Sequence, residues 1–499
     1  MKLNELKNEG MGPAPNFARK VTATASPQER PIRPRPSLEF NKVYLKYQNK
    51  NLEILRQNWY GTRIAILGFG KEGRDTFLFL RKLFPKKIIG IADKNEKVAS
   101  SATRPRDKVK WHLGENYLKT LKNYDIIIKS PGIPPKVIVP FITKRQRVTS
   151  PTEIFFDNCP GKIVGITGTK GKSTTTSLIY DILRKEGIKA HLVGNIGKPA
   201  LNLLFSATPK DIYVYELSSH QLSRLQPRRE MRQKSQRTYG LKKSPFIAVF
   251  LNIYPEHLDY YRNFQEYFKA KQNITKYQTE EDYFIYNSGD KLVREVAKKT
   301  KAKIIPIKGK YYELDRNAAI AVGKLFKIPQ KRILKAIKEF KPLPHRLELV
   351  GTFKGIKFYN DALSTIPETA IAALDALGNN VQTIMLGGFD RKIDFKNLAK
   401  RVLKSKVKNV ILFPTTGEKI WQSIRQAQEK ALRQKHPAVS HIEPFFTDNM
   451  PDAVKIAYKN TQKGKICLLS TASTSFSIFR DYKEKGNLFK KFVKRYGKK

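Results

Sequence analysis

Short runs of β-branched and aliphatic residues recur along this chain, each followed by a longer stretch with apolar positions three and four apart. The first group reads "RIAILG", "IIGIAD", "YDIIIKS", "KIVGITG", "KAHLVG", "IYVYELS", "FIAVFLN" and "DYFIYN"; "QTIMLGG", "NVILFP" and "KICLLS" follow later. A strand with one wet face would alternate apolar and polar residues. These runs are continuously apolar, the pattern of parallel strands covered on both faces by crossover helices. The pattern predicts an α/β protein throughout.

Breaks in the pattern suggest the organisation. Residues 1–37 are polar, and "PQERPIRPRP" places a proline every few positions, so a basic, proline-rich, disordered leader is expected, with folded chain from about Leu38. Prolines and a glycine in "TSPTEIFFDNCPGK" and two prolines in "KEFKPLPHRLE" place domain cuts near 155 and 342. The expected units are 38–155, 156–342 and 343–499. A basic segment, 226–243, reads as a surface insertion into the middle unit, and no repeat of fixed period is visible.

Length and charge narrow the class. The 499 residues, 40% of them hydrophobic, suffice for several cores. With no apolar run of about 18 residues and no hydrophobic signal segment, the reading is a cytoplasmic protein without a membrane span. Cys159 and Cys467 are far apart, which fits a reducing compartment and offers no disulfide framework or cysteine metal site. The formal charge is +53, from 96 Lys and Arg against 43 Asp and Glu. It would attract polyanions, but the lysines are spread over nearly every expected helix and no nucleic-acid motif accompanies them, so nucleic acid is not required.

The strongest chemical signal is "GITGTKGKSTTT". A strand ending at Ile166 runs into Thr167, Gly168, Thr169, Lys170, Gly171, Lys172 and Ser173, with a helix expected from about Thr174. Glycines let backbone N–H groups turn toward an anion at a helix N-terminus, Lys172 can reach terminal phosphates, and Ser173 suits Mg²⁺. Glu216 and His257 end neighbouring apolar runs, where open parallel sheets hold ligands; Glu256 or Asp259 could serve in place of His257. Upstream, Gly68, Gly70 and Gly73 follow a strand and Asp93 ends the next, a nucleotide or diphosphate fingerprint that by spacing alone would suggest NAD. Ser130, Pro131 and Gly132 form a second strand-end loop. The last third offers His345, Arg346 and Glu348; Asn360, Asp361 and Thr365; Asp390, Arg391 and Lys392; and Ser475 and Tyr482. Arginines and hydroxyls after apolar strands suit a carboxylate ligand.

Taken in order, "GITGTKGKSTTT", "GNIGKPAL", "YELSSHQL", "LNIYPEHLD", "LPHRLE", "YND", "LGG" and the final "KGN" resemble the Mur ligase family, over roughly residues 60–495. Within it the chain is most similar to the members that add D-glutamate. The resemblance implies a Rossmann-like N-terminal domain for a UDP-sugar, a central P-loop-type ATPase domain with a parallel sheet, and a Rossmann-like C-terminal domain binding the amino acid. It implies an ATP- and Mg²⁺-dependent amide ligase, acting as a monomer, that joins D-glutamate to UDP-N-acetylmuramoyl-L-alanine through an acyl phosphate in peptidoglycan precursor synthesis. It assigns Gly168, Thr169, Lys170, Gly171, Lys172, Ser173, Thr174, Asn317, Arg346 and Asp361 to ATP. Gly70, Asp93, Ser130, Pro131, Gly132, Asn195, Ser218, Ser219 and Gln221 go to the UDP-sugar, displacing NAD, and Thr365, Arg391, Ser475 and Tyr482 to the amino acid. Lys172, Glu216, His257 and Lys271 would be catalytic. Ser173, Glu216, His257 and Lys271, the last as a carbamate, would hold the metal. The chain departs from the family at Ala362 and Leu363, where some members have Ser-Lys, and at Arg391, where the amino-acid pocket usually has lysine. A His-Asn pair before Asn317 is also missing. The rival readings are a Mur-type ligase for another amino acid, a nucleic-acid-binding NTPase and an NAD-dependent oxidoreductase.

Overall fold

A computed structural model describes residues 47–101, 108–196, 199–223, 242–257, 260–309, 312–341, 343–434 and 441–498. The leader, all but the end of the 226–243 segment, Asp259 and the proline at 342 lie outside them. The apolar runs form three sheets. The first holds β1 (Ile64–Leu67), β2 (Ile89–Asp93), β3 (Val109–Leu113), β4 (Ile126–Lys129) and β5 (Arg147–Thr149), in the order β3-β2-β1-β4-β5. The second holds β6 (Lys162–Thr167), β7 (Ala190–Gly194), β8 (Ile212–Glu216), β9 (Ile247–Phe250), β10 (Tyr283–Asn287) and β11 (Lys303–Ile307), ordered β11-β10-β9-β6-β8-β7. The third holds β12 (Glu348–Phe353), β13 (Ile356–Asn360), β14 (Val381–Gly387), β15 (Asn409–Phe413), β16 (Glu443–Phe446) and β17 (Ile466–Leu469), ordered β12-β13-β17-β14-β15-β16.

Pairing in the first two sheets is parallel at every ladder. Central strands such as β1, β6 and β9 are buried along nearly their whole length, because helices cover both faces. Gly73, in the first turn of the helix Lys71–Leu83, illustrates how close that cover lies: a Cβ there would strike the Gly68 carbonyl oxygen.

Two features depart from the expected layout. The third sheet is not parallel throughout: β12 and β13 pair antiparallel, joined by Lys354 and Gly355, both at positive φ (49° and 80°). Two such residues match the twist of a tight hairpin, and the other ladders of this sheet are parallel. Position 155, near which the prolines and glycine suggested a domain cut, lies inside the helix Pro151–Asn158. Ser150 Oγ caps that helix by accepting from Glu153 N at 3.1 Å, and its proline sits at the start, where no N–H is needed. Phe155 packs edge-on against Tyr213 and Tyr215 of β8, so the segment is core. No described helix is long and apolar enough to cross a membrane.

Candidate functional site

The glycine-rich loop lies at the carboxyl end of β6, the strand between β8 and β9. The following helix starts at Lys172, two residues before the expected Thr174, with Gly171 as its N-cap at φ 86°. A side chain at Gly171 would be strained at that φ and would run into Asp315. Asn252, two residues after the end of β9, pins the loop from the other side. Its Oδ1 accepts from Lys170 N at 2.8 Å, its Nδ2 donates to Lys170 O at 3.1 Å, and its backbone O accepts from Thr169 N at 2.9 Å. The Thr169 hydroxyl accepts from Tyr254 N and lies 3.0 Å from the Tyr267 hydroxyl.

Cations and carboxylates converge beneath the loop. Lys172 Nζ donates to the Gly168 and Thr169 carbonyls at 3.0 and 2.8 Å. Lys271, in the helix Phe264–Gln272, is 1% exposed and donates to Gly168 O at 2.8 Å. Burial and the neighbouring Lys172 hold the Lys271 amine well below its ordinary range, and burial lowers Lys172 as well. Glu216 ends β8, paired with Ile166 of β6, and its Oε2 is buried without a hydrogen-bond partner among the described residues. Glu256 pairs with Lys170 at 3.0 Å. Burial pushes its carboxyl up, but Lys170, His257 and Lys172 outweigh that and bring it to about 2. His257, at φ 59°, has its Nε2 3.7 Å from Glu256 Oε2 and its ring 4.7 Å from that of His220.

Residues preceding and within the third sheet reach the same loop. Arg346 Nη2 donates to Ser173 Oγ at 2.7 Å, and Lys170 Nζ lies 3.5 Å from Thr365 Oγ1. Asp361 follows β13, accepts from Ser470 Oγ and Leu347 N, and is raised by burial to about 6. Asp315 accepts from Thr175 Oγ1 at 2.8 Å and burial raises it to about 7. His345, Asn360 and Glu348 form a bonded cluster beside Tyr482: Asn360 Nδ2 is 3.0 Å from both His345 Nδ1 and Glu348 Oε2.

The first sheet offers a second site. Gly68 has φ 88°, Phe69 N donates to Asp93 Oδ2 at 2.6 Å, and Ser130 Oγ donates to Gly68 O at 2.8 Å, so the two strand-end loops are bonded together. Tyr260 OH donates to Pro131 O at 3.0 Å, tying these loops to the middle of the chain. A cavity of about 180 Å³ lies alongside, lined by Glu72, Asp75, Asn195 and Gln221 among others. Gln221 is oriented by a reciprocal cap with Ser218, its Oε1 accepting from Ser218 N while its Nε2 donates to Glu72.

The structure thus gathers Gly168–Thr174, Glu216, His257, Lys271, Arg346 and Thr365 at one loop, and Gly70, Asp93, Ser130, Pro131, Asn195 and Gln221 around the other site. Ser219 is buried in the short helix Ser219–Leu222. Gly132 follows Pro131, with open space where a Cβ would stand. Asn317 donates to Lys308 O at 2.7 Å, and Ser475 is buried with no partner for its hydroxyl among the described residues. Arg391 is exposed beside the Asp390–Lys419 ion pair. Sequence reasoning passed over Asn252, Asp315, Glu72 and the buried Lys485. Asn252 had a signal, since it ends "FIAVFLN" at the same sheet edge as the loop. Asp315 had none, because its partner Thr175 is 140 positions away.

Known proteins share much of this sequence and fold. The Mur ligase middle domain matches residues 166–354, and the Mur ligase, glutamate ligase domain matches 345–473. A UDP-N-acetylmuramoylalanine–D-glutamate ligase of Acetivibrio thermocellus is 31% identical over 485 residues, covering 89% of this chain and 99% of its own. One from Clostridium kluyveri is 31% identical over 480 residues, with the same coverage. Among solved structures, the MurF ligase of Thermotoga maritima in complex with ADP superposes with a TM-score of 0.52 at 16% identity, covering 88% of this chain and 97% of its own. MurC of the same organism gives 0.50 at 17% identity, covering 87% and 99%. Likeness at that identity speaks for the fold, while the full-length relatives speak for descent: this chain belongs to the Mur ligase family.

Proposed function

We propose that this chain is an ATP-dependent amide ligase that adds D-glutamate to UDP-N-acetylmuramoyl-L-alanine, a cytoplasmic step of peptidoglycan precursor synthesis. The observation that carries the reading is the meeting of three parts at one loop: the phosphate loop, the Glu216–Lys271 cluster beneath it, and Arg346 and Thr365 arriving from beyond the second sheet. The full-length relatives named for the same reaction support it. In this reading the first sheet's segment binds the UDP-sugar, the second sheet's segment binds ATP, and the third closes over both and holds the amino acid.

The γ-phosphate of ATP passes to the substrate's alanyl carboxylate, giving an acyl phosphate and ADP. The amine of D-glutamate then attacks the acyl carbon, and phosphate leaves as the amide forms. Positioning and charge do most of the work in such transfers. Lys172 and the loop N–H groups hold the phosphates; Arg346, Asp361 and Asn317 hold the nucleotide, and their placement keeps water from the acyl phosphate. Asp93, Ser130, Pro131, Gly132, Asn195 and Gln221 hold the UDP-sugar, and Thr365, Ser475, Tyr482 and Arg391 the amino acid.

The donor set fits a divalent cation. Glu216 Oε2 is a buried acceptor without a partner among the described residues, and Lys271 has a buried amine whose charge is suppressed, the form that reacts with CO₂. Ser173, Glu216, His257 and Lys271 as its carbamate would hold Mg²⁺, which supplies positive charge to the phosphates. The test is phosphate release from ATP-Mg with UDP-N-acetylmuramoyl-L-alanine and each candidate amino acid in turn. Turnover with D-glutamate alone supports the reading, and turnover with another amino acid in its place overturns it.

A further inference from the structure

The phosphate loop carries two lysines that point in different directions. Lys172 turns back onto the loop's own carbonyls. Lys170 leaves the loop: its backbone is held on both sides by Asn252, and its ammonium spans the gap to Glu256 Oε1 at 3.0 Å and Thr365 Oγ1 at 3.5 Å. Its side chain remains 21% exposed. An ammonium on a pinned backbone, facing a hydroxyl at the edge of another sheet, is placed for something between them.

The surroundings of Thr365 ask for an anion. The loop after β17 lies against the loop carrying Thr365, with Ser470 Oγ donating to Asp361 Oδ2 at 2.9 Å and Thr471 Oγ1 to Ser364 O at 3.2 Å. Farther along that loop, Thr474 Oγ1 and Ser475 Oγ are buried with no hydrogen-bond partner among the described residues. Buried hydroxyls that can donate, on a loop packed against the one whose Thr365 meets the Lys170 ammonium, match a carboxylate, which accepts several hydrogen bonds and needs a counter-charge. The arginine of the "LGG" loop, Arg391, is exposed and beside an existing ion pair, whereas Lys170 already touches Thr365.

We infer that Lys170 is a specificity-determining residue: its ammonium binds a carboxylate of the incoming amino acid, with Thr365 and the hydroxyls after β17 completing the pocket and Glu256 holding the ammonium in place. The inference rests on the proposed ligase reading and moves Lys170, which the family resemblance gave to ATP, to the amino acid, because its side chain leaves the loop for Glu256 and Thr365 while Lys172 stays on the loop.

The experiment uses the full chain and its Lys170→Met and Lys170→Arg variants, each first checked for thermal unfolding. Phosphate release is followed with ATP-Mg and UDP-N-acetylmuramoyl-L-alanine while D-glutamate is varied, and again while ATP is varied. Loss of one charge-assisted hydrogen bond corresponds to roughly a ten- to hundredfold effect. The expected result for Lys170→Met is a KM for D-glutamate raised by about that factor, with KM for ATP within about twofold and recovery in Lys170→Arg. The preference for D-glutamate over D-glutamine should fall in the same variant. An unchanged D-glutamate KM, or a rise confined to ATP, overturns the inference and leaves the ligase reading standing. Absence of D-glutamate turnover in the unsubstituted chain removes both. If Lys170→Met unfolds, Lys170→Gln carries the test: a D-glutamate KM raised by the same factor at a normal melting temperature supports the inference, and an unchanged one overturns it.

Discussion

Lys271 shows how a single position acquires chemistry from its surroundings. In water its amine would be a cation, but here it is buried beside Lys172, and both facts favour the neutral form. Replacing it with alanine is expected to lower phosphate release by at least about 100-fold, the scale of removing one group that stabilises transition-state charge. Short-chain carboxylates should restore part of the rate by standing in for the carbamate, and undiminished activity without them would exclude that role. Glu256 shows the opposite shift. Its folded-state pKa of about 2 lies below the ordinary 4.5, so its contribution to stability is complete above pH 4.5 and is lost as pH falls toward 2. Denaturant titrations of Glu256→Gln should show lower stability at pH 7 and a shallower decline across that acid window than the parent chain. These shifts were not legible in the sequence, where Lys271 is one of two lysines in "FKAKQNI" and only the family resemblance singled it out.

At the scale of elements, the loop and the helix Lys172–Lys185 are held by one neighbour that local sequence does not reveal. Asp315, in the helix Tyr312–Leu325, accepts from Thr175 and stands where a side chain on Gly171 would go. Its carboxyl is raised by burial to about 7, so its contribution favours the fold at low pH and is lost as pH rises from the ordinary 3.8 through 7. Asp315→Asn should flatten the stability profile between pH 4 and 7, as read by thermal melts across that range. Gly171→Ala should cost about 1 kcal/mol or more from the positive φ alone, and the clash with Asp315 should displace the loop and raise KM for ATP. The strands tell a related story. β3, β5, β11, β12 and β16 escaped the apolar-run pattern, and all five are sheet edges. An edge strand is incompletely covered, so its residues need not be continuously apolar: β11 is exposed at three of five positions. β13 escaped for another reason, since it alternates buried and exposed residues beside its antiparallel partner.

For the whole molecule, the formal charge of +53, with lysines spread along the sequence, acts through its field. Both proposed nucleotide substrates are polyanions, so KM for ATP and for the UDP-sugar should rise with ionic strength while kcat changes little, because exposed charges are screened beyond a Debye length of about 10 Å at 0.1 M. A kcat that falls in step with KM would place the salt effect on the chemistry instead. Polar contacts between the segments of different sheets include Gln221 to Glu72, Asn202 to Asp75, Tyr260 to Pro131, Arg346 to Ser173 and Lys170 to Thr365, and one apolar cluster runs from the first sheet into the second. Arg346→Ala should reduce turnover strongly while the melting temperature moves little, since one partly buried hydrogen bond contributes only about 1 kcal/mol to the stability of the fold.

What the chain determined alone was what rests on neighbours in sequence. Continuous apolar runs marked eleven strands of a covered α/β fold, and "GITGTKGKSTTT" marked a phosphate loop, because a strand, a glycine turn and a helix N-terminus are all local. The order of motifs carried the family. Tertiary structure decided what depends on distance in the chain: that the helix Pro151–Asn158 is core, that Asp315 braces Thr175, and that Glu216 lies beside the loop through the pairing of β6 with β8. It also decided that Lys170 faces Thr365 across 195 positions, since an ammonium's role is set by what it touches and by how far it is removed from water.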